Sequence, residues 1–141
     1  MILADVNVLV HSFRADSPRH LAVAPWWAEA VYSAAPFAIP DSIFSGFLRV
    51  VPMPRIFNPP CTFDQAMEYV DALRAQPNYV PLEPGARHWE LFTSICRASR
   101  ATGNLIPDAW LAALAIEHGC TLATDDRGFS RFPGLKCHYF E

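Results

Sequence analysis

Short apolar runs of strand length alternate with helix-length segments along this chain, and no feature narrows its fold more. Residues 2–4, 37–39, 78–82, 120–124 and 136–139 read as strands. The segments between them carry helical spacing or helix-start signals at 7–11, 17–32, 42–51, 62–75, 85–99 and 107–118. Parallel strands need long crossovers, and helices on those crossovers cover both faces of a sheet. The expectation is an α/β fold: three layers, α/β/α, around a central, mostly parallel sheet, in one domain over 1–141. At 141 residues, such a domain buries about 68–70% of the surface its unfolded chain exposes.

Local signals refine this. Ser17-Pro18 has the form of an N-cap followed by proline in the first turn, and Pro25 should kink or restart the helix that follows. Asp41 is placed to cap the next helix, and Thr62-Phe-Asp-Gln65 has the pattern of a capping box. Pro107-Asp108 opens a helix that Gly119 ends. Prolines at 52, 54, 59 and 60 mark a stiff loop.

The bulk numbers exclude several classes. Hydrophobic residues make up 52% of the chain, yet no apolar stretch approaches the roughly 20 residues of a transmembrane helix. Asp5 interrupts the first apolar run and no cationic segment precedes it, so a secretory signal is not expected and a cytoplasmic location is. A net charge of −3 and a pI near 5.9 argue against a passive nucleic-acid binder. They argue less against a metal nuclease, whose carboxylate ligands carry charge that bound cations offset. Cys61, Cys96, Cys120 and Cys137 form no Cys-x-x-Cys pair and no zinc spacing. Cys96 and Cys120 read as small buried apolar residues. His11, His20, His88, His118 and His138 show no mutual metal spacing. There is no glycine-rich phosphate loop and no Gly-x-Ser-x-Gly elbow.

What remains is a set of carboxylates. Asp5 ends the first strand, Asp108 begins a helix, and Asp126 follows the strand at 120–124. Acids from distant parts of the chain, brought to one sheet edge, cannot all ionise cheaply without a cation. Mg²⁺ or Mn²⁺ held by such oxygens is a known agent of phosphodiester hydrolysis. Each acid also has a plain structural reading, as a helix cap, a first-turn acid or a turn residue.

The segments Asp5-Val-Asn7-Val-Leu, Gly46-Phe-Leu-Arg49, Asn104-Leu-Ile-Pro-Asp108-Ala-Trp-Leu-Ala-Ala-Leu-Ala and Thr124-Asp-Asp126-Arg-Gly-Phe129 resemble PIN-domain proteins, in particular VapC-type ribonuclease toxins of bacterial toxin–antitoxin pairs. The resemblance covers nearly the whole chain in order. It implies a PIN-like fold, a Mg²⁺- or Mn²⁺-dependent endoribonuclease, a cognate antitoxin protein as partner, RNA as substrate, and a homodimer. By this resemblance Asp5, Asp108 and Asp126 are the catalytic and metal-binding acids, with Asp126 acting directly or through water. Asn7 would donate to a carboxylate or a substrate phosphate, and Thr124 would hold a water or orient Asp126. Two positions depart from the family pattern: Gly46 and Gly128 stand where many members carry acids. Asp41 does not replace the first, being roughly 140° around the helix from position 46. The expectation is one tightly bound ion with a second recruited by substrate. The alternative is a non-catalytic RNA- or protein-binding module with a degraded site, and DNA hydrolysis by the same acids is a third possibility.

Arg49, one turn after Gly46, and Arg127, Arg131 and Phe132, flanking the last acid, are candidates to face RNA. Arg14, Arg19 and His20 form a modest basic patch. Trp26 and Trp27 cannot both face one core. One reading exposes a tryptophan to a partner, and the other buries both partly at helix contacts.

Overall fold

The computed structural model describes residues 1–53 and 59–141, so Pro54 of the proline-rich loop lies outside the described residues. Five short strands form one sheet: β1 (Ile2–Ala4), β2 (Phe37–Ala38), β3 (Tyr79–Val80), β4 (Thr121–Ala123) and β5 (Lys136–His138). The spatial order is β3-β2-β1-β4-β5, and each adjacent pair is parallel. Leu3 and Ala4 of β1, Phe37 and Ala38 of β2, and Leu122 and Ala123 of β4 are all buried. Successive strand residues point to opposite faces, so burial of both members of each pair means both faces are covered.

The covering helices are α1 (Val6–Phe13), α2 (His20–Tyr32), α3 (Asp41–Val50), α4 (Phe63–Arg74), α5 (His88–Ser99) and α6 (Leu105–Glu117). They pack in two groups: α1 against α2 and α3 with α4 beyond, and α5 along α6. This is the expected three-layer arrangement. Helix α6 buries Ala109, Leu111, Ala112, Ala113, Leu114 and Ala115. Its run of alanines lets it approach its neighbours closely while keeping strong helix propensity. Among the described residues, no helix is long and apolar enough to cross a membrane.

Several boundaries differ from expectation. Helix α2 begins at His20, not at Ser17-Pro18, although the Ser17 hydroxyl accepts the Arg19 amide at 3.2 Å and contacts the His11 ring at 2.7 Å. The helix then runs unbroken through Pro25. Leu21, whose carbonyl would have received the missing N–H, is 86% exposed, so water can satisfy it. Asp41 is not the cap of α3: Pro40 holds that position, and the Asp41 carboxylate pairs with Arg74 at 2.8 Å. Helix α6 starts two residues before Pro107, which therefore sits in the first turn, where its absent N–H costs nothing. The Thr62–Gln65 capping box forms as expected, and Gly119 ends α6 at φ +67. Cys120 is buried and Cys96 partly so.

Trp27 is 2% exposed, and Trp26 stacks on His138 with ring centres 4.3 Å apart. The two tryptophans thus serve internal contacts. Of the two readings of this pair, the one that exposes a tryptophan to a partner is corrected and burial of both holds, with the C-terminal strand supplying Trp26 with an aromatic neighbour.

Candidate active site at the switch point of the sheet

The chain leaves β1 toward β2 on one side of the sheet and later returns to β4 on the other. Such a reversal opens a crevice beyond the carboxyl ends of the two strands. Asp5 directly follows β1, and Thr124, Asp125 and Asp126 directly follow β4. The strands hold register through Ala4 opposite Ala123, and the Asp5 amide donates to the Ala123 carbonyl at 3.0 Å. The two segments are therefore locked side by side by sheet pairing before any side chain contributes.

Asp5 is 7% exposed and firmly held. Its Oδ1 accepts the Val6 amide at 2.7 Å, which makes it the N-cap of α1. Its Oδ2 accepts the Thr124 hydroxyl at 2.8 Å and the Asn7 amide at 3.2 Å. Burial nevertheless pushes the Asp5 carboxyl above its usual value. The hydrogen bonds from Thr124 and Val6 oppose the rise, and the charge of Asp126 adds to it.

Thr124 is fully buried and engaged on every side. It donates to Asp5 and accepts from the Asn7 side chain at 3.2 Å and the Asp126 amide at 3.0 Å. Asn7 completes the lattice by accepting the Asp125 amide at 3.0 Å through its own Oδ1. The expectation for Asn7 is a bond to a carboxylate or a substrate phosphate, and for Thr124 a held water or an oriented Asp126. Neither hydroxyl nor amide is presented outward here; they brace Asp5 against the β4 end. Thr124 orients Asp126 through the backbone amide of that residue.

Asp125 and Asp126 diverge, as neighbours after a strand should. Asp125 receives a two-pronged contact from Arg19, with Nε and Nη2 each 2.8 Å from a carboxylate oxygen, and that guanidinium pulls its carboxyl below the usual value. Arg19 also donates to the Phe140 and Glu141 carbonyls, tying the start of α2 to the C-terminal tail. Arg14 pairs with Asp16 at 2.7 Å, and the His20 ring contacts the His11 carbonyl at 2.8 Å. The expected basic patch of Arg14, Arg19 and His20 is thus committed to internal contacts.

Asp126 faces the crevice and is exposed. It caps a 3-10 turn over Arg127–Arg131 that sequence reading missed, accepting the Gly128 amide on Oδ1 at 2.8 Å. Asp108 arrives from the first turn of α6, where the helix dipole favours a carboxylate. Half-burial still pushes its carboxyl up to about 6, and the charges of Asp5 and Asp126 push in the same direction while Arg131 opposes them. Asp108 therefore feels the charge of both other acids, and Asp5 that of Asp126.

Arg127 lies over the Tyr139 ring at 5.1 Å, and Arg49 is exposed without an ion pair among the described residues. Phe132, considered for RNA, is 3% exposed and packs on Phe129, which takes it out of that role. Gly46 lies against the first residue of α1: a Cβ there would be 3.5 Å from the Val6 side chain. Position 46 thus lies beside the start of α1 and brings no charge there.

Among the described residues, no three His, Cys, Asp or Glu side chains stand together as a ready ligand set. The donor chemistry still fits a hard divalent cation. Asp126 keeps Oδ2 free, Asp108 has no hydrogen-bond partner among the described residues, and both are oxygen donors in mutually repelling positions. Mg²⁺ keeps several waters and needs few direct protein ligands.

Carboxylates at the switch point of a small parallel α/β sheet suit a hard divalent cation. Comparison with known proteins gives the family. Residues 2–135 match the PIN domain family model. Ribonuclease VapC25 of Mycobacterium tuberculosis is 40% identical over 136 residues, covering 96% of each chain. Among solved structures, VapBC2 from Rickettsia felis bound to a promoter DNA fragment aligns with TM-score 0.72 at 17% identity, covering all of both chains. A toxin–antitoxin complex from Klebsiella pneumoniae aligns with TM-score 0.63 at 20% identity, covering 96% of this chain and 95% of that one. The chain belongs to the PIN-domain family, in its VapC branch.

Proposed function

We propose that this protein is an endoribonuclease, the toxin of a toxin–antitoxin pair, and that it hydrolyses RNA phosphodiester bonds with Mg²⁺ or Mn²⁺ at Asp5, Asp108 and Asp126. The observation that carries the reading is the placement of Asp5 after β1 and Asp126 after the paired strand β4, at one sheet switch point, with Asp108 of α6 close enough to feel the charge of both. The naming of a 40% identical relative as a ribonuclease supports it. A divalent ion, when bound, supplies Lewis-acid chemistry for attack on phosphorus.

The chain's own residues do the rest. Thr124, Asn7 and the Val6 amide fix the Asp5 carboxylate in one orientation. Asp108 carries a proton more readily than an ordinary carboxyl until a cation takes its place. Asp126 offers Oδ2 directly or across a water. Arg49 and Arg127 are exposed cations suited to the phosphates flanking the cleaved bond. An antitoxin protein as partner fits the Klebsiella fold neighbour, which is a toxin–antitoxin complex. Assembly as a homodimer and action in the cytoplasm complete the proposal.

The test is cleavage of RNA by antitoxin-free protein with Mg²⁺, with Mn²⁺ and with EDTA, alongside Asp5→Asn and Asp108→Asn. The expected result is metal-dependent cleavage lost in both variants. Absence of cleavage in any divalent metal would instead favour a binding module, and preference for DNA would redirect the substrate.

A further inference from the structure

Arg131 stands out among the cations near the acids. Its Nε donates to the Gly128 carbonyl at 2.9 Å, which fixes the guanidinium to the 3-10 turn capped by Asp126. No other hydrogen bond or ion pair of its side chain is found among the described residues, so the Nη groups remain available. Of the other arginines, Arg19 is committed to Asp125 and Arg74 to Asp41, while Arg127 lies over the Tyr139 ring and Arg49 is exposed on α3.

Gly128 makes this placement possible. A Cβ at position 128 would lie 2.9 Å from Asp126 Oδ1 and 3.6 Å from Arg131 Nη2. The missing side chain therefore leaves one small space that the last acid and the arginine border together. Arg131 is also the cation whose charge reaches Asp108. A guanidinium held by one edge, exposed and adjacent to carboxylates, presents fixed donors to any anion drawn into the crevice. A phosphate oxygen matches that fork geometry.

We propose that Arg131 is a phosphate-binding residue for single-stranded RNA, held by Gly128 at the edge of the acidic crevice so that a backbone phosphate lies beside Asp108 and Asp126. This rests on the ribonuclease reading for its substrate class. It adds a cation that lets a polyanion approach a negatively charged site without relying on the metal alone.

The experiment measures binding of a short fluorescein-labelled single-stranded RNA by anisotropy in EDTA across a salt series. The proteins are wild type, Arg131→Gln and Arg131→Lys, and melting temperatures are recorded in parallel. Loss of a charged hydrogen bond predicts binding about tenfold or more weaker for Arg131→Gln. The slope of log affinity against log salt should fall by about 0.7 for one lost phosphate contact. Arg131→Lys keeps the charge and should keep that slope, but without the fork and its anchor it should recover only part of the affinity. If Arg131 only staples the turn, both variants lose stability together and Arg131→Lys binds as poorly as Arg131→Gln, which overturns the proposal. Wild-type affinity in Arg131→Gln overturns it too, as does a wild type that binds no RNA. Failure here with metal-dependent cleavage intact leaves the nuclease reading standing. Arginine-dependent binding without cleavage in any metal has the opposite meaning.

Discussion

Removing the charge of Asp108 should make the metal-free protein more stable. The folded structure raises this carboxyl from 3.8 to about 6, through half-burial and the neighbouring charges of Asp5 and Asp126. A displacement of that size corresponds to about 3 kcal/mol when the group must be ionised. Solvent reaches half of Asp108 and screens part of this, leaving roughly 1–2 kcal/mol. The folded state holds the proton more tightly than the unfolded one, so the penalty is fully present above pH 6. It diminishes as pH falls from about 6 to 3.8 and vanishes below. Asp108→Asn should therefore melt about 3–7 °C above wild type at pH 7.5 in EDTA, given the entropy of unfolding for a chain of this size. The gap should close near pH 4. Differential scanning calorimetry at the two pH values tests both statements. An Asn variant that melts at or below wild type at pH 7.5 refutes the electrostatic burden. A gain undiminished at pH 4 refutes its origin in charge. Excess Mg²⁺ or Mn²⁺ should reverse the order, raising wild type and leaving the variant nearly unmoved, because only wild type gains from the ion.

Other outcomes follow from the same geometry. Thr124→Val keeps the shape and removes the hydroxyl that joins Asp5 to the Asp126 amide. It should cost about 1–3 kcal/mol in denaturant melts and lower RNA cleavage well beyond that caused by instability, with Thr124→Ser restoring much of both. Gly128→Ala places a methyl 2.9 Å from Asp126 Oδ1. Because a carboxylate end can move, stability should change little while cleavage falls, and unchanged cleavage would show that the position of Asp126 is unimportant. Arg19→Met should lower the melting temperature at pH 7 by releasing the α2–tail clasp. Asp125 is held below 3.8 by Arg19, so that stability is present above this value and is lost as pH falls through the depressed pKa. The gap between wild type and variant should narrow in strong acid, leaving the share due to the Phe140 and Glu141 carbonyls.

Much of this molecule is legible before its structure is known, and the exceptions share a cause. The apolar run ending at Asp5, the Thr62–Gln65 box and the stop at Gly119 are set by local chemistry, and each forms as its residues dictate. Alternation of strands and helices points to the parallel sheet, and Asp108 and Asp126 are read from their positions after a proline and a strand. What local reading misses depends on distant partners. The Ser17 hydroxyl is shared between the His11 ring and the Arg19 amide while α2 starts only at His20, and Trp26 is covered by His138 from the last strand. For Asn7 and Thr124 the sequence leaves open a role toward substrate or water and one toward the acids, and the bracing contact that joins them spans 117 positions of sequence. The short turn after Asp126 carries no apolar period, and only the pattern Asp126-Arg-Gly128 hints at it.

The central claim is that acids from β1, α6 and the end of β4 meet at one divalent ion. Calorimetric titration of Mn²⁺ into the antitoxin-free protein addresses it directly, with Asp5→Asn, Asp108→Asn and Asp41→Asn in parallel. The account predicts saturable binding by wild type and by Asp41→Asn, whose carboxylate is paired with Arg74, and at least tenfold weaker binding by the other two. Equal Mn²⁺ affinity in all four proteins would contradict it.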